Sequence, residues 1–269
     1  MRRLTPFALL LPLIILTAAC TDDAPPVSTD GRTIMADAHF YPTIQGSSWE
    51  YSIDTTGADG PGSGIVRSRI TGVFEADTLT YAVQLNQISF GEAREIDSLY
   101  IRHAEDGVRI SSPGLQTLSN LPPIPNFPID EIPTEFLAVP TGGGFQGSWE
   151  IINIEINTIP LFPIYYRVNG SYRGLEDITT DLRTFRDCAH VVLSIEARLP
   201  DFSNPGTPLL IDEEASFWFT RPQGLVAAQG SNAIFTLLRG GIPLSASYGT
   251  TRQEVTALDI VQPDPFCIE

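Results

Sequence analysis

Apolar and polar residues alternate with a period of two along much of this chain, and no other feature limits its fold as strongly. "TLTYAVQLN" (78–86) sets Leu79, Tyr81, Val83 and Leu85 on one face and Thr80, Ala82, Gln84 and Asn86 on the other. Successive side chains of a strand point to opposite sides of a sheet, so this reads as an antiparallel strand with its leucine face inward. "AHVVLSIEA" (189–197) does the same, with Ala189, Val191, Leu193 and Ile195 facing in. Further strands are expected at 64–75, 95–104, 164–173, 212–221, 224–230 and 251–260. No window of eleven residues keeps a 3.6-residue period, so no helix is expected. Gly and Pro punctuate the strands at 55–64, 104–108 and 221–225, as hairpins require. The expected class is all-β.

One phrase occurs twice. "IQGSSWEYSI" (44–53) returns as "FQGSWEIINI" (145–154), and the stretches C-terminal to the two copies also align. "RITGVFEADTLTYAVQL" stands against "YRVNGSYRGLEDI…AHVVLSI", and "SLYIRHAEDGVRI" against "ASFWFTRPQGLVA". In the first copy Trp49, Tyr51 and Ile53 share a face. In the second, Ile152, Ile154 and Ile156 fall out of phase with Trp149, which predicts a bulge near Ile151. The expected architecture is a large curved antiparallel sheet or half-barrel built from two similar meanders, about 39–110 and 145–240. Trp49 and Trp149 are its equivalent buried anchors.

Between the two lies a Pro-rich crossover, 111–144, with seven of the chain's 22 prolines between 111 and 140. Proline cannot donate to a ladder, so central strands are excluded there. Its apolar residues, Phe127 and Phe136 among them, argue that it packs across the sheet as a lid or crossover. Those two phenylalanines are the candidate ligand-pocket residues.

The start of the chain is an address. Arg2 and Arg3 precede the ten-residue apolar run "FALLLPLIIL" (7–16), too short to span a bilayer and suited to a signal peptide, 1–19. Leu-Thr-Ala-Ala-Cys20 is similar to a bacterial lipobox, which implies that Cys20 is acylated and becomes the mature N-terminus. Thr21 rather than Asp after that cysteine favours an outer membrane where the cell has two. Residues 20–38 have no apolar period and read as a disordered tether. Loss of Arg2 and Arg3 leaves 14 arginines against 32 acidic residues, a formal charge of −18. Nucleic acid is not a partner for such a field. Cys188 and Cys267 then form an even pair in an oxidising compartment, a tentative disulfide.

Three stretches resemble a broad group of bacterial exported lipoproteins of uncharacterised activity: "FYPTIQGSSWEY" (40–51), "RTFRDCAHVV" (183–192) and "FWFTRPQGLV" (217–226). That group is loosely similar to half-barrel lipoprotein carriers of the bacterial envelope, whose curved sheets hold acyl chains. The resemblance covers about 40–240 and implies a fold and an envelope location. It carries over no catalytic residue, because none is established in the group.

Chemistry is sought and not found. Histidine occurs at 39, 103 and 190 alone. Cys188 and His190, two apart on one strand, are the sharpest candidates for a nucleophile with its base or for a metal pair, yet their face of the strand is the polar one and a disulfide would consume the thiol. No serine sits in a nucleophile elbow, and no phosphate loop, cofactor fingerprint or metal-ligand spacing is present. The expected activity is non-catalytic binding of an apolar ligand or envelope partner by a lipid-anchored domain. A structural module without a pocket is the second reading, and an unidentified hydrolase the third.

Overall fold

The computed structural model describes residues 40–57, 61–76, 78–112, 132–141, 147–156, 164–200, 207–239 and 248–261. The signal, the tether, Phe127 and Cys267 lie outside them. Twelve strands form: β1 (Ser48–Thr55), β2 (Gly62–Ala76), β3 (Leu79–Phe90), β4 (Ala93–Ala104), β5 (Gly107–Ser111), β6 (Phe136–Pro140), β7 (Gly147–Ile156), β8 (Ile164–Thr179), β9 (Thr184–Pro200), β10 (Pro208–Thr220), β11 (Gly224–Ser231) and β12 (Thr250–Asp259).

They make one antiparallel sheet in the order β6-β5-β4-β3-β2-β1-β12-β11-β10-β9-β8-β7. Strands β1–β6 are thus one meander of neighbours and β7–β12 another, joined where β1 pairs with β12. Residues of β2, β3, β6, β9 and β10 surround one central space, so the sheet curls into a nearly closed barrel. Its two free edges, β6 and β7, meet at a seam. There the Trp149 indole Nε1 donates to the Leu137 carbonyl at 2.9 Å.

The repeated phrase opens β1 and β7. In β1, Trp49, Tyr51 and Ile53 are all buried on the inner face. In β7 the pairing register with β8 shifts between Glu150 and Ile152, and this bulge brings Ile152 and Ile154 onto the face of Trp149. The two indoles serve alike in one respect, since each donates to a backbone carbonyl of the opposite meander. Trp49 Nε1 reaches Gln223 O at 2.6 Å. They differ in burial: Trp49 is 3% exposed, whereas Trp149 is half-buried because its strand is an edge.

Three expectations need correction. In β3 the inner face is Ala82, Gln84, Asn86 and Ile88, all buried, while Val83 and Leu85 are half-buried on the outside. The more apolar face of that strand points outward because the interior it meets is polar on this side. The Pro-rich segment also contributes a strand, β6, whose residues are all buried. It sits at the sheet edge and ends on Pro140, the place where a missing N–H costs least. Finally, Asn232–Leu238 is a helix, α1, capped by Ser231, whose side chain accepts from Ala233 N at 3.1 Å. Ala233, Ile234, Phe235 and Leu237 are buried, so it is apolar nearly all round and carries no stripe for periodicity to detect.

A polar bolt holds β6 in place. Glu135, just before that strand, accepts from Tyr81 Oη and Arg102 Nε, each at 2.8 Å, and lies 3.4 Å from Arg109 Nη1. These donors come from β3, β4 and β5, so one carboxylate ties the edge strand to three others.

Candidate functional site

Inside the barrel is a cavity of about 120 Å³. One wall is apolar and is built by inward positions of β6, β9 and β10 with α1: Phe136, Ala138, Val191, Leu193, Phe217, Phe219 and Phe235. The strand period places them there. Val191 and Leu193 alternate inward on β9, and Phe217 lies opposite Val191 in register on β10. Phe136, one of the two candidate pocket residues, is 6% exposed and lines the cavity.

The facing wall is polar. Ser68 on β2, Asn86 on β3 and Asp97 on β4 stand side by side in register. Ser68 Oγ donates to Asn86 Oδ1 at 2.7 Å, Gln84 Nε2 to the same oxygen at 2.8 Å, and Asn86 Nδ2 to Asp97 Oδ1 at 2.6 Å. Tyr41 closes the row, its hydroxyl donating to Gln84 Oε1 at 2.7 Å. Tyr41 is held in turn by its carbonyl, 2.8 Å from His103 Nε2, and by aromatic contacts with Trp49 and Phe219. Tyr41, in the "FYP" that opens the described residues, therefore supplies one end of the cavity.

Arg239, one residue past α1, lines both the cavity and an outer groove of about 410 Å³ shared with Thr55, Phe90, Glu95 and Thr251. Phe235 lines both as well, so these two side chains stand at the junction between inside and outside. Burial pushes the Arg239 guanidinium below its usual range, and Asp97 and Glu95 partly restore it. Burial pushes the Asp97 carboxyl up, against the Asn86 hydrogen bond and the charge of Arg239.

Gln253 completes the polar side. It faces inward on β12 between Thr251 and Val255, is 8% exposed, and lines the cavity. The sequence pattern passed over Gln84, Asn86, Gln253 and Arg239. For Gln84 and Asn86 the signal that could have found them is their own strand spacing, followed on the same face by Ile88; no local signal marks Gln253 or Arg239.

The Cys188–His190 pair does not assemble a nucleophile. Cys188 is buried and has no disulfide partner among the described residues; burial pushes its thiol up to about 11, so as a thiol it stays protonated near neutral pH. The His190 Nδ1 lies 3.1 Å from Glu176 Oε1, and its ring stacks on Trp218 with centroids 4.8 Å apart. Burial lowers the imidazole's pKa, and the charge of Glu176 opposes this. Cys20, Phe127 and Cys267 lie outside the described residues, and the Cys188–Cys267 pairing with them.

No protein-family model matches the chain, and no curated protein matches it. Two solved bacterial structures are similar in fold. One, provisionally described as a lipoprotein of Parabacteroides distasonis ATCC 8503, gives a TM-score of 0.44 at 15% identity, over 82% of this chain and 99% of that one. The other, an exported protein with YmcC-like fold from Bacteroides fragilis NCTC 9343, gives 0.42 at 12% identity, over 83% of this chain and 100% of that one.

Proposed function

We propose that this is a lipid-anchored protein of the bacterial envelope whose β-barrel binds a ligand with a substantial apolar surface, without catalysing a reaction. The observation that carries the binding reading is the cavity of about 120 Å³ between the aromatic wall and the polar row. Protein interiors hold few voids larger than a water molecule, and this one has room for several. It favours a binding domain over a structural module with a filled core. The envelope location rests on the sequence alone, on the short apolar run ending in Leu-Thr-Ala-Ala-Cys20. Thr21 supports the outer membrane where there are two.

Solvent extraction of the protein purified from its native envelope, followed by mass spectrometry, tests the ligand. A stoichiometric small molecule supports the reading, and an empty protein with a freely hydrated cavity sinks it. For the anchor, Cys20→Ala is expected to abolish partitioning into detergent. Unchanged membrane association of that variant would rule acylation out.

A further inference from the structure

The polar wall of the cavity has more hydrogen-bonding capacity than the protein uses. Gln253 is more than nine-tenths buried, lines the cavity, and makes no side-chain hydrogen bond among the described residues. A carboxamide that lines a cavity and bonds to no described side chain keeps its two N–H groups and its oxygen for whatever occupies that cavity. Its neighbours along the wall are only part-used. Asn86 Oδ1 accepts from both Ser68 and Gln84, but Gln84 Nε2 and Asn86 Nδ2 each spend one of two N–H groups within the row. The three carboxamides thus offer spare N–H donors, and an acceptor oxygen on a ligand would satisfy them.

Charge narrows the class. Arg239 stands at the junction with the outer groove, under the charges of Asp97 and Glu95. Two acids against one guanidinium leave this end of the cavity net negative, and an incoming carboxylate would be a third acid. The facing wall of Phe136, Phe217 and Phe219 requires an apolar body. Size limits that body: an apolar cavity of about 150 Å³ takes benzene, so about 120 Å³ takes a body of roughly six carbon atoms.

We propose that the cavity binds a small uncharged molecule with an apolar body and one carbonyl or hydroxyl oxygen, held by Gln253 together with the spare N–H groups of Gln84 and Asn86. This rests on the barrel being a binding domain and specifies its ligand. Any longer part of such a molecule would leave past Phe235 and Arg239 into the groove.

The test uses three probes on the chain from Cys20 onward, unlipidated and detergent-free: cyclohexane, cyclohexanone and cyclohexanecarboxylate, titrated at pH 7 by ligand-observed NMR. Cyclohexanone is expected to bind about tenfold more tightly than cyclohexane, one good hydrogen bond's worth, with the carboxylate weakest. In Gln253→Met the preference for the ketone over the hydrocarbon should fall to about twofold. The ligand-free melting temperature should not fall, because the amide has no described protein partner to lose. Equal binding of ketone and hydrocarbon, or an undiminished preference in a folded Gln253→Met protein, overturns the role of the polar wall and leaves the binding domain standing. Tightest binding of the carboxylate overturns the uncharged class. Failure of all three probes to bind folded wild-type protein overturns the binding-domain reading itself. The order of the three probes on wild type decides the class even if the variant does not fold.

Discussion

Gly170 and Trp149 face each other in register across β8 and β7, and a Cβ on Gly170 would stand only 2.2 Å from the indole Cε2. The absence of a side chain there lets the ring lie flat enough for its Nε1 to reach Leu137 O across the seam. Gly170→Ala is therefore expected to displace the indole and cost about 1–3 kcal/mol, typical of overpacking. Urea unfolding measures this, and a neutral result would mean that Trp149 can tilt without losing its bond. Cys188 makes a second claim at this scale. Its thiol is wholly buried and raised to about 11 by that burial, so little thiolate exists at pH 8. Iodoacetamide should leave this thiol unmodified in the native state at pH 8 and label it within minutes in denaturant. Rapid native labelling would show that the strand opens.

Among the elements, β6 is the least self-sufficient: five residues, on the edge, fixed by Glu135. Burial alone would push the Glu135 carboxyl up. Hydrogen bonds from Arg102 and Tyr81, with the charges of Arg102 and Arg109, more than reverse this and hold it below the usual glutamate range. A carboxyl with a depressed folded pKa stabilises the fold fully above its unfolded value, about 4.3, and loses that contribution as pH falls through the folded value. Glu135→Gln should thus destabilise by about 2 kcal/mol at pH 7, less than a fully buried pair because Arg109 is partly open to solvent. The gap from wild type should narrow steadily below pH 4.3 in urea titrations. A gap independent of pH would mean that packing, not charge, holds the strand. The helix α1 has its own test. Removing the cap in Ser231→Ala should cost about 1 kcal/mol, whereas Ser231→Asn should restore most of it.

For the molecule as a whole, the decisive feature is that two six-strand meanders share one interior. Each opens on a tryptophan that bonds to the other meander, so neither half satisfies its anchor alone. Trp49, buried next to the β1–β12 junction, should cost about 3–5 kcal/mol on replacement by Ala. Trp149→Ala should cost less globally, because that ring is only half-buried, yet it should raise amide exchange in β6 and β7 selectively. Uniform protection across all strands in that variant would show that the seam does not depend on the indole.

The sequence by itself determined the strand class, the eight main strand positions, the doubled architecture and the bulge at Ile151. Each of these comes from local rules: side chains alternate along a strand, glycine and proline mark turns, and a phase slip demands an extra residue. What only the tertiary structure decided is which face of β3 looks inward, and hence where the polar wall lies. Alternation fixes two faces but not which of them is inside; that depends on what the opposite wall offers. Gln84 and Asn86 are inside because Ser68, Tyr41 and Asp97, distant in sequence, converge on them with hydrogen bonds. Gln253 and Arg239 enter the cavity only through the curl of the sheet and the placing of a seven-residue helix, neither of which any short stretch of this chain encodes.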